Sequence, residues 1–326
     1  MTGHRWVRAA MLALALGAWT AGPAAAQPYP SRPIRMIVPF TPGGPVDVAA
    51  RIVGQHLPRL LGQSVVIENR AGAAGSLGAK AVATAEPDGY TLLWGNISTL
   101  VVLPVVTNNR DYDPARHFVP IAKVSQNHEV LVVQSAFAAT SVGELVAYAK
   151  ANPGKLNFGS AGHGNATHLA AELFKLRTGT NIVHVPYKGA ADAVTALLGA
   201  QVQMFFGDIA GVLPFLREGT LRALAVSSEA RNPLVPEVPT MRESGVPDYV
   251  VSTYIGVVAP AGTPAAIVER LNAAINDSLI APDAAAAFAK LGAEIRPAAP
   301  QDFAAFLAAE TRKWADVVKA ANIRVE

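Results

Sequence analysis

Apolar residues occur along the chain in short unbroken runs, each followed by a longer run at helical spacing. Residues 34–38 predict a buried strand, and the apolar positions that repeat every three or four residues over 46–61 predict an amphipathic helix ending at Gly62. The same order returns after further strands, predicted at residues 65–67, 91–94, 156–158, 182–185 and 202–206. This alternation predicts an α/β fold with a largely parallel sheet.

Two extended apolar stretches, residues 121–133 and 250–258, interrupt this order. The first is broken by the polar residues 125–129. Because the about 300 residues that follow the leader exceed the usual size of a single core, both stretches are predicted to cross between two domains. The helical C-terminal region after residue 264 carries no motif and is assigned to packing.

The first 26 residues predict an export signal. Arg5 and Arg8 precede an apolar core of residues 9–19, and Ala24-Ala25-Ala26 is a small-residue cleavage site. The apolar core is shorter than the roughly 20 residues that span a bilayer. We therefore expect a mature protein that begins near Gln27 and is soluble outside the cytoplasm. The chain contains no cysteine, which excludes a disulfide scaffold and a Cys-linked lipid anchor.

The charge balance excludes one class of partner. The chain has 27 Lys and Arg against 24 Asp and Glu, and the leader holds two of the bases and no acid. The mature chain is therefore nearly neutral. It lacks the basic excess expected of a protein that binds nucleic acid or an anionic membrane.

The turn between the first predicted strand and its helix, residues 39–47, is the first candidate ligand loop. Backbone N–H groups at the positive end of a helix dipole favour an anion, and glycines allow its close approach. The turn holds no Lys and matches neither nucleotide-binding glycine pattern, so a carboxylate is the favoured ligand. An ordinary tight strand–helix connection explains the turn equally well. The candidate contacts are Phe40, Thr41, Gly43, Gly44 and Asp47.

A second glycine-rich loop, residues 159–168, enters a second predicted helix. It adds Ser, Asn and Thr side chains to the backbone donors. Two such loops, one from each domain, could close on a single anion from opposite sides. The candidate contacts here are Ser160, Gly164, Asn165, Thr167 and His168.

Two further strands end in polar residues. Asn96, Ser98 and Thr99 follow the strand at 91–94, and Asp208 follows the strand at 202–206. Ligands of open parallel sheets bind outside the carboxyl ends of the strands, which makes all four candidate contacts. Helix capping is the alternative for Ser98, Thr99 and Asp208. A buried carboxylate at Asp208 would favour a ligand that bears an amine.

The sequence gives little support for a metal site or for a catalytic site. His163 and His168 lack the spacing of a metal-binding helix pair, and a packed, hydrogen-bonded role is favoured for His168. Neither Ser160 nor Ser76 lies in a G-x-S-x-G turn. We expect no metal, no cofactor and no catalytic nucleophile.

Eight segments, in order along residues 30–325, resemble the tripartite tricarboxylate transporter substrate-binding family, also called the Bug family. They are Pro39-Phe40-Thr41-Pro42-Gly43-Gly44-x-x-Asp47-x-x-Ala50-Arg51, Val66-Ile67-Glu68-Asn69-Arg70-x-Gly72-x-x-Gly75, Pro87-Asp88-Gly89-Tyr90-Thr91-Leu92-Leu93, Phe158-Gly159-Ser160-x-Gly162-x-Gly164-x-x-x-His168-Leu169, Pro186-Tyr187-Lys188-Gly189, Leu221-Arg222-Ala223-Leu224-Ala225-Val226, Pro236-x-Val238-Pro239-Thr240 and Ala259-Pro260-x-Gly262-Thr263-Pro264.

The resemblance implies a type II-like periplasmic binding protein fold, in which two α/β lobes joined by crossing strands close over a ligand cleft. Lobe 1 would comprise residues 27–126 and 250–326, and lobe 2 residues 127–249. It also implies a monomer without catalysis that grips a small organic carboxylate with the two loops and delivers it to membrane transporter subunits.

The sequence departs from the family pattern at three places. Pro45 replaces a small residue and removes one N–H donor, Asn165 replaces a serine, and residues 127–129 are unusual. These departures bear on which ligand is bound. Two other functions stay open from sequence: a ligand-presenting partner of a membrane sensor kinase, and a secreted hydrolase.

Overall fold

The structure, a computed structural model, describes residues 28–107, 112–321 and 323. From Arg32 onwards the chain forms one compact unit, and every contact described below lies within it. The predicted export signal and its cleavage site, residues 1–26, lie outside the described residues. In the described part of the chain, every helix is too short or too polar to cross a membrane.

The described strands form one connected sheet in the order β2-β1-β3-β9-β4-β7-β5-β6, and β8 and β10 also pair with β4. The strands are β1 Ile34–Val38, β2 Val65–Asn69, β3 Thr91–Asn96, β4 Phe118–Gln134, β5 Asn157–Ser160, β6 Val183–Pro186, β7 Met204–Asp208, β8 Leu221–Val226, β9 Ser252–Pro260 and β10 Glu294–Ile295.

Helices connect these strands, as the alternating pattern predicts. They are α1 Pro45–Leu61, α2 Ser76–Ala83, α3 Leu103–Val106, α4 Pro114–His117, α5 Val142–Ala151, α6 Ala166–Thr178, α7 Ala190–Leu198, α8 Ile209–Arg217, α9 Ala265–Leu279, α10 Pro282–Lys290 and α11 Pro300–Ala320, with a 3-10 turn at Ala73–Gly75 and a π-helical turn at Ser98–Val102. The helix predicted after the first strand begins one residue early, at Pro45, and ends as expected with Gly62 at φ +76°.

Strand β4 joins two parallel groups of strands. From Phe118 to His128 it pairs antiparallel with β9, which lies beside the β1–β3 group. From Glu129 onwards it pairs antiparallel with β7, which lies beside the β5–β6 group. One strand of 17 residues therefore belongs to both groups.

The polar residues 125–129 interrupt the apolar run but do not interrupt the strand, because β4 continues through them. Register shifts at 120/122 and 123/125 accommodate the irregularity without ending the strand. The polar side chains find partners across the sheet: Asn127 Nδ2 donates to Asp208 Oδ2 at 2.9 Å, and His128 Nδ1 lies 3.2 Å from the carbonyl oxygen of Val251.

Three predicted strands end later in the structure. Asn96 is the last residue of β3, Ser160 of β5 and Asp208 of β7, whereas the sequence placed all three in the connections that follow. Antiparallel pairing with β9 extends β3, parallel pairing with β6 extends β5, and antiparallel pairing with β4 extends β7.

In the core on one face of the sheet, the ring of Phe303 packs against the backbone of β9 at Gly256. A Cβ atom at Gly256 in β9 would lie 2.7 Å from Cε1 of Phe303 and 3.1 Å from the carbonyl oxygen of Ala122. Phe303 is fully buried, so its ring has little freedom to retreat. Gly211, on the exposed side of α8, has open space around it.

We predict that Gly256→Ala lowers the free energy of unfolding by about 1–3 kcal/mol, because the added methyl group overpacks the core. Gly211→Ala is the matched control and should leave stability unchanged or raise it by up to about 1 kcal/mol, since alanine favours the helix. Urea unfolding followed by circular dichroism measures both. An equal loss in the two variants would contradict this view of the β9–α11 contact.

Candidate functional site

The candidate contacts lie at the carboxyl ends of β1, β3, β5 and β7, and the sheet register relates these ends to one another. Asn96, at the end of β3, pairs with Ile255 of β9, and Ile255 pairs with Ser125 of β4. Two residues further along β4, Asn127 donates to Asp208 at the end of β7. Strand β4 thus connects the edge that carries the first loop with the edge that carries the second.

Asp47 fixes the shape of the first loop. Its Oδ2 accepts hydrogen bonds from the Gly43 N–H at 2.9 Å and from Arg51 Nε at 2.8 Å. Its Oδ1 accepts from Asn69 Nδ2 at 2.8 Å, and the same Asn69 group donates to the Phe40 carbonyl oxygen. The structure thus assigns Asp47 a positioning role, and its contacts with Gly43 and Asn69 hold both ends of the turn.

The environment of Asp47 favours its ionised form. The side chain of Asp47 is 2% exposed. The hydrogen bond from Arg51 is the largest influence and outweighs burial, so the pKa of Asp47 is lowered to about 2. From the sequence, the Gly43 N–H was a candidate donor to an anionic ligand. In the structure it donates instead to the carboxylate of Asp47, which stays ionised.

The N-terminus of α1 retains backbone donors. Gly44 occupies the N-cap position, and no side chain of the described residues caps this helix. The first N–H groups of a helix have no partner within the helix, and Pro45 has no N–H to offer. Thr41 is exposed and Phe40 partly exposed beside this end. The helix of 17 residues thus directs its positive end towards an open surface.

The second loop satisfies most of its own donors. The Ala161 N–H donates to Thr167 Oγ1 at 2.8 Å, and the Gly162 N–H donates to Ser160 Oγ at 3.1 Å. Asn165 caps α6 by accepting from the Thr167 N–H at 3.1 Å. The Gly164 N–H donates to His168 Nδ1 at 3.1 Å. Ser160, Thr167 and His168 therefore hold the loop in shape.

His184 completes this support, and the sequence reasoning missed it. Its Nε2 lies 2.6 Å from Ser160 Oγ, and its ring stacks on His168 with centroids 3.9 Å apart. His184 pairs in register with Phe158, so the two rings also stack. The sequence pattern at residues 182–185 predicted the strand that carries His184. Local pattern could not show that this strand pairs with the strand that ends at Ser160.

Burial keeps these imidazoles neutral. It is the largest cause that lowers the pKa of His168 to about 3 and that of His184 to about 4, and neighbouring cationic groups add to it. At neutral pH both rings are therefore uncharged. They contribute hydrogen bonds and stacking to the loop and no positive charge to a ligand.

The only histidine cluster in the described part of the chain could bind a metal ion only if its rings changed their orientation. The ligating atoms of His163, His168 and His184 lie within 4.8 Å of one another. However, Nδ1 of His168 accepts an N–H, which places the proton of the neutral ring on Nε2 and leaves neither nitrogen free to ligate. The rings of His168 and His184 are also inclined by only 15°, whereas a shared metal should lie near both ring planes. The geometry favours the packed role expected for His168.

The Ser160–His184 pair does not form a hydrolytic site in this arrangement. Ser160 is fully buried, so a substrate carbonyl has no access to its hydroxyl. In the described part of the chain, no carboxylate pairs with His184 to orient it.

Asn96 and Thr99 bind each other. The Asn96 N–H donates to Thr99 Oγ1 at 3.1 Å, and the Thr99 N–H donates to Asn96 Oδ1 at 3.3 Å. Thr99 is fully buried, and the segment that follows Asn96 contains a π-helical turn, Ser98–Val102. Of the three candidate contacts that follow this strand in the sequence, Asn96 and Ser98 are partly exposed and Thr99 is buried.

Asp208 lies at the boundary between the two groups of strands. Its Oδ1 caps α8 by accepting from the Ala210 N–H at 3.0 Å, and its Oδ2 accepts from Asn127. Burial raises the pKa of Asp208, although these two hydrogen bonds oppose the rise. Asp208 therefore has the capping role that was the alternative, and the residue as a whole is partly exposed.

Glu129 faces Asp208 directly across the β4–β7 pairing. It is 3% exposed, and its Oε2 has no hydrogen-bond partner among the described residues. Burial and the neighbouring Asp208 raise the pKa of Glu129 well above its usual range. The sequence pointed to residues 127–129 only as an unusual segment and did not select Glu129.

A charged cavity of about 1090 Å³ offers an alternative binding surface. Lys123 and His128 of β4 line it together with Arg231, Arg296 and Lys313. Arg231 pairs with Glu243, Arg296 with Glu294 and Lys313 with Glu310. Most of its positive charge is therefore already neutralised within the protein.

Comparison with known proteins identifies relatives over nearly the whole chain. The model of the family described as "Tripartite tricarboxylate transporter family receptor" matches residues 49–323. Protein BugT of Bordetella pertussis is 41% identical over 307 residues, covering 94% of this chain and 94% of BugT.

Two solved structures with ligands are also similar. Rpa4515 of Rhodopseudomonas palustris, solved with adipate, is 35% identical with a TM-score of 0.75, covering 91% of this chain and 99% of that one. MatC (Rpa3494) of the same organism, solved with malate, is 34% identical with a TM-score of 0.72, covering 89% of this chain and 100% of that one. Structural matches of this kind confirm the predicted fold class, a two-lobed α/β periplasmic binding protein fold.

We predict that Asp47→Asn lowers the free energy of unfolding by about 1–2 kcal/mol at pH 7, because the lowered pKa of Asp47 reflects stabilisation of its ionised form. This contribution is complete above pH 4 and disappears as the pH falls towards 2. Urea unfolding of wild type and variant at pH 7, 4 and 2.5 measures it. Asp277→Asn, at an exposed position, is the control. A difference as large at pH 2.5 as at pH 7 would contradict the electrostatic origin.

Proposed function

Because the chain belongs to the tripartite tricarboxylate transporter receptor family, we propose that it is a periplasmic solute-binding protein for a small organic carboxylate. It captures the ligand between two lobes and delivers it to membrane transporter subunits. It acts as a monomer and catalyses no reaction. Relatives solved with adipate and malate support a carboxylate as the ligand, and the export signal predicted from sequence supports the periplasm.

The observation that carries the proposal is the pair of helix N-termini at related edges of the sheet. Helix α1 follows β1 in one group of strands and has no side-chain cap, whereas α6 follows β5 in the other group and is capped by Asn165. The positive ends of two helices and their polar loops suit a carboxylate placed between them. In this arrangement Thr41, Gly44, Ser98 and Asn165 touch the ligand, while Asp47, Ser160, Thr167 and His168 hold the loops.

The pairing of β4 supports the proposed lobes. Its partner changes from β9 to β7 between His128 and Glu129, within two residues of the boundary expected after residue 126. The chain returns along β9, which begins at Ser252, close to the expected boundary at residue 250. Two strands crossing at one place form a hinge about which two lobes can close.

Helix dipoles alone cannot account for useful affinity. Each helix terminus contributes about 0.3–1 kcal/mol, whereas micromolar binding requires about 8 kcal/mol. Direct hydrogen bonds to the carboxylate, strengthened by exclusion of water on closure, must supply the larger part. Binding therefore depends on the two loops meeting, and a change in either should affect it.

The first test is a thermal-shift screen of the protein from Gln27 onwards against a library of organic acids. A ligand at 100 times its Kd should stabilise by about 2.7 kcal/mol and raise the Tm by a few degrees. Shifts confined to carboxylates support the proposal. Absence of any shift, both before and after unfolding and refolding to remove a retained ligand, would contradict it.

We predict that Gly43→Asp abolishes binding of the acid found in that screen without unfolding the protein, since it places a negative charge in the first loop. Gly43 has φ +81° and open space at its Cβ position, so a side chain fits there with some backbone strain. Gly43→Asn is the matched control, because it imposes the same strain and shape without the charge. Isothermal titration calorimetry measures both variants. Equal affinity in the two would exclude the first loop from the site.

A further inference from the structure

Asp208 and Glu129 place two carboxyl groups beside each other at the edge that carries the second candidate loop. They occupy directly opposed positions of β4 and β7, and opposed side chains on neighbouring strands lie on the same face with Cβ atoms about 5 Å apart. Two like charges this close are unfavourable unless one is neutralised or a cation lies nearby. In the described part of the chain, neither group forms an ion pair with Lys, Arg or His.

Helix capping explains only part of this arrangement. Asp208 caps α8, but asparagine caps a helix as well as aspartate does, and capping requires no second carboxyl group beneath it. Glu129 is 3% exposed, and its Oε2 lacks a hydrogen-bond partner among the described residues. A buried polar atom without a partner is unfavourable, so a group that satisfies or neutralises this pair would stabilise it.

The geometry also fits a ligand. Asp208 is partly exposed, and each of its oxygens accepts one hydrogen bond and keeps a second lone pair. β7 is the parallel neighbour of β5, so Asp208 lies at the same sheet edge as Ser160 and the loop after it. None of the candidate contacts predicted from sequence is a Lys or Arg. The site therefore offers a carboxylate and, among those residues, no fixed cation.

We infer that the ligand is an aminocarboxylate, whose ammonium group binds Asp208 above Glu129 while its carboxylate binds the helix N-termini. This inference rests on the proposed function and specifies its substrate class. An ammonium group offers the donors that Asp208 can accept and the positive charge that the carboxyl pair lacks. A simple dicarboxylate would instead bring a second negative charge towards this pair.

The test compares acids that differ only in the amine. Matched sets are aspartate with malate and succinate, glutamate with 2-hydroxyglutarate and glutarate, and 4-aminobutanoate with butanoate. Calorimetric titration of the wild type should give at least about tenfold tighter binding of one amino acid than of its amine-free counterparts, as expected for a charge-assisted hydrogen bond.

Asp208→Asn should remove this preference, because it deletes the charge and keeps the cap and the shape. The amine-free acid should bind as before or more tightly. Glu129→Gln should reduce the preference in the same direction without changing side-chain size. Asp113→Asn, which changes the capping aspartate of α4 away from the site, should leave all affinities unchanged.

The outcomes separate the inference from the proposed function. If amine-free acids bind as tightly as amino acids, or if Asp208→Asn weakens every acid equally, the inference is wrong and the carboxylate-binding function stands. If no acid of either kind binds, the proposed function fails and the inference fails with it.

Discussion

The pairing of β4 with two groups of strands is the constraint on which the rest of the structure depends. Strands of globular proteins usually have 3–10 residues, whereas β4 has 17 and is buried over most of its length. Since a shift of one residue would turn every side chain of the strand to the opposite face, its register is fixed by both groups at once. That register brings Asn127 to Asp208, and it relates the carboxyl ends of β3 and β7 to Ser125 and Glu129, four residues apart along β4.

The candidate loops achieve their shape by using side chains as internal acceptors. Asp47 accepts from Gly43 in the first loop, and Ser160, Thr167 and His168 accept from backbone N–H groups in the second. Buried neutral histidines suit this role, because they accept hydrogen bonds without introducing a charge. Preorganised loops lose little conformational entropy when a ligand arrives, so more of the interaction energy becomes affinity.

Local pattern was sufficient for much of the fold. The strand–turn–helix order and the glycine that ends α1 are each specified by a few neighbouring residues. The start of α5 is also fixed locally, since Ser141 accepts from the Glu144 N–H and Glu144 accepts in return from the Thr140 N–H. Chain length and the two crossing stretches predicted two domains, and the family resemblance added the arrangement of two lobes around a ligand cleft.

Contacts between distant strands were the part that sequence could not supply. His184 reaches Ser160 because β6 pairs with β5, and Glu129 meets Asp208 because β4 pairs with β7 across 79 residues of chain. Nothing near Gly43 in the sequence indicated that its N–H would be taken by Asp47, since the same spacing suits a free helix N-terminus. The donors predicted for the ligand were therefore overestimated, while the place of the site did not depend on them.

In the proposed function, two loops from different groups of strands bind one ligand. We would measure hydrogen–deuterium exchange first, with and without a saturating acid from the thermal-shift screen. Exchange should slow in residues 40–48 and 159–167 together, because one ligand contacts both loops. Slower exchange in only one loop, or in residues 228–233 and 294–296 around the charged cavity, would contradict it.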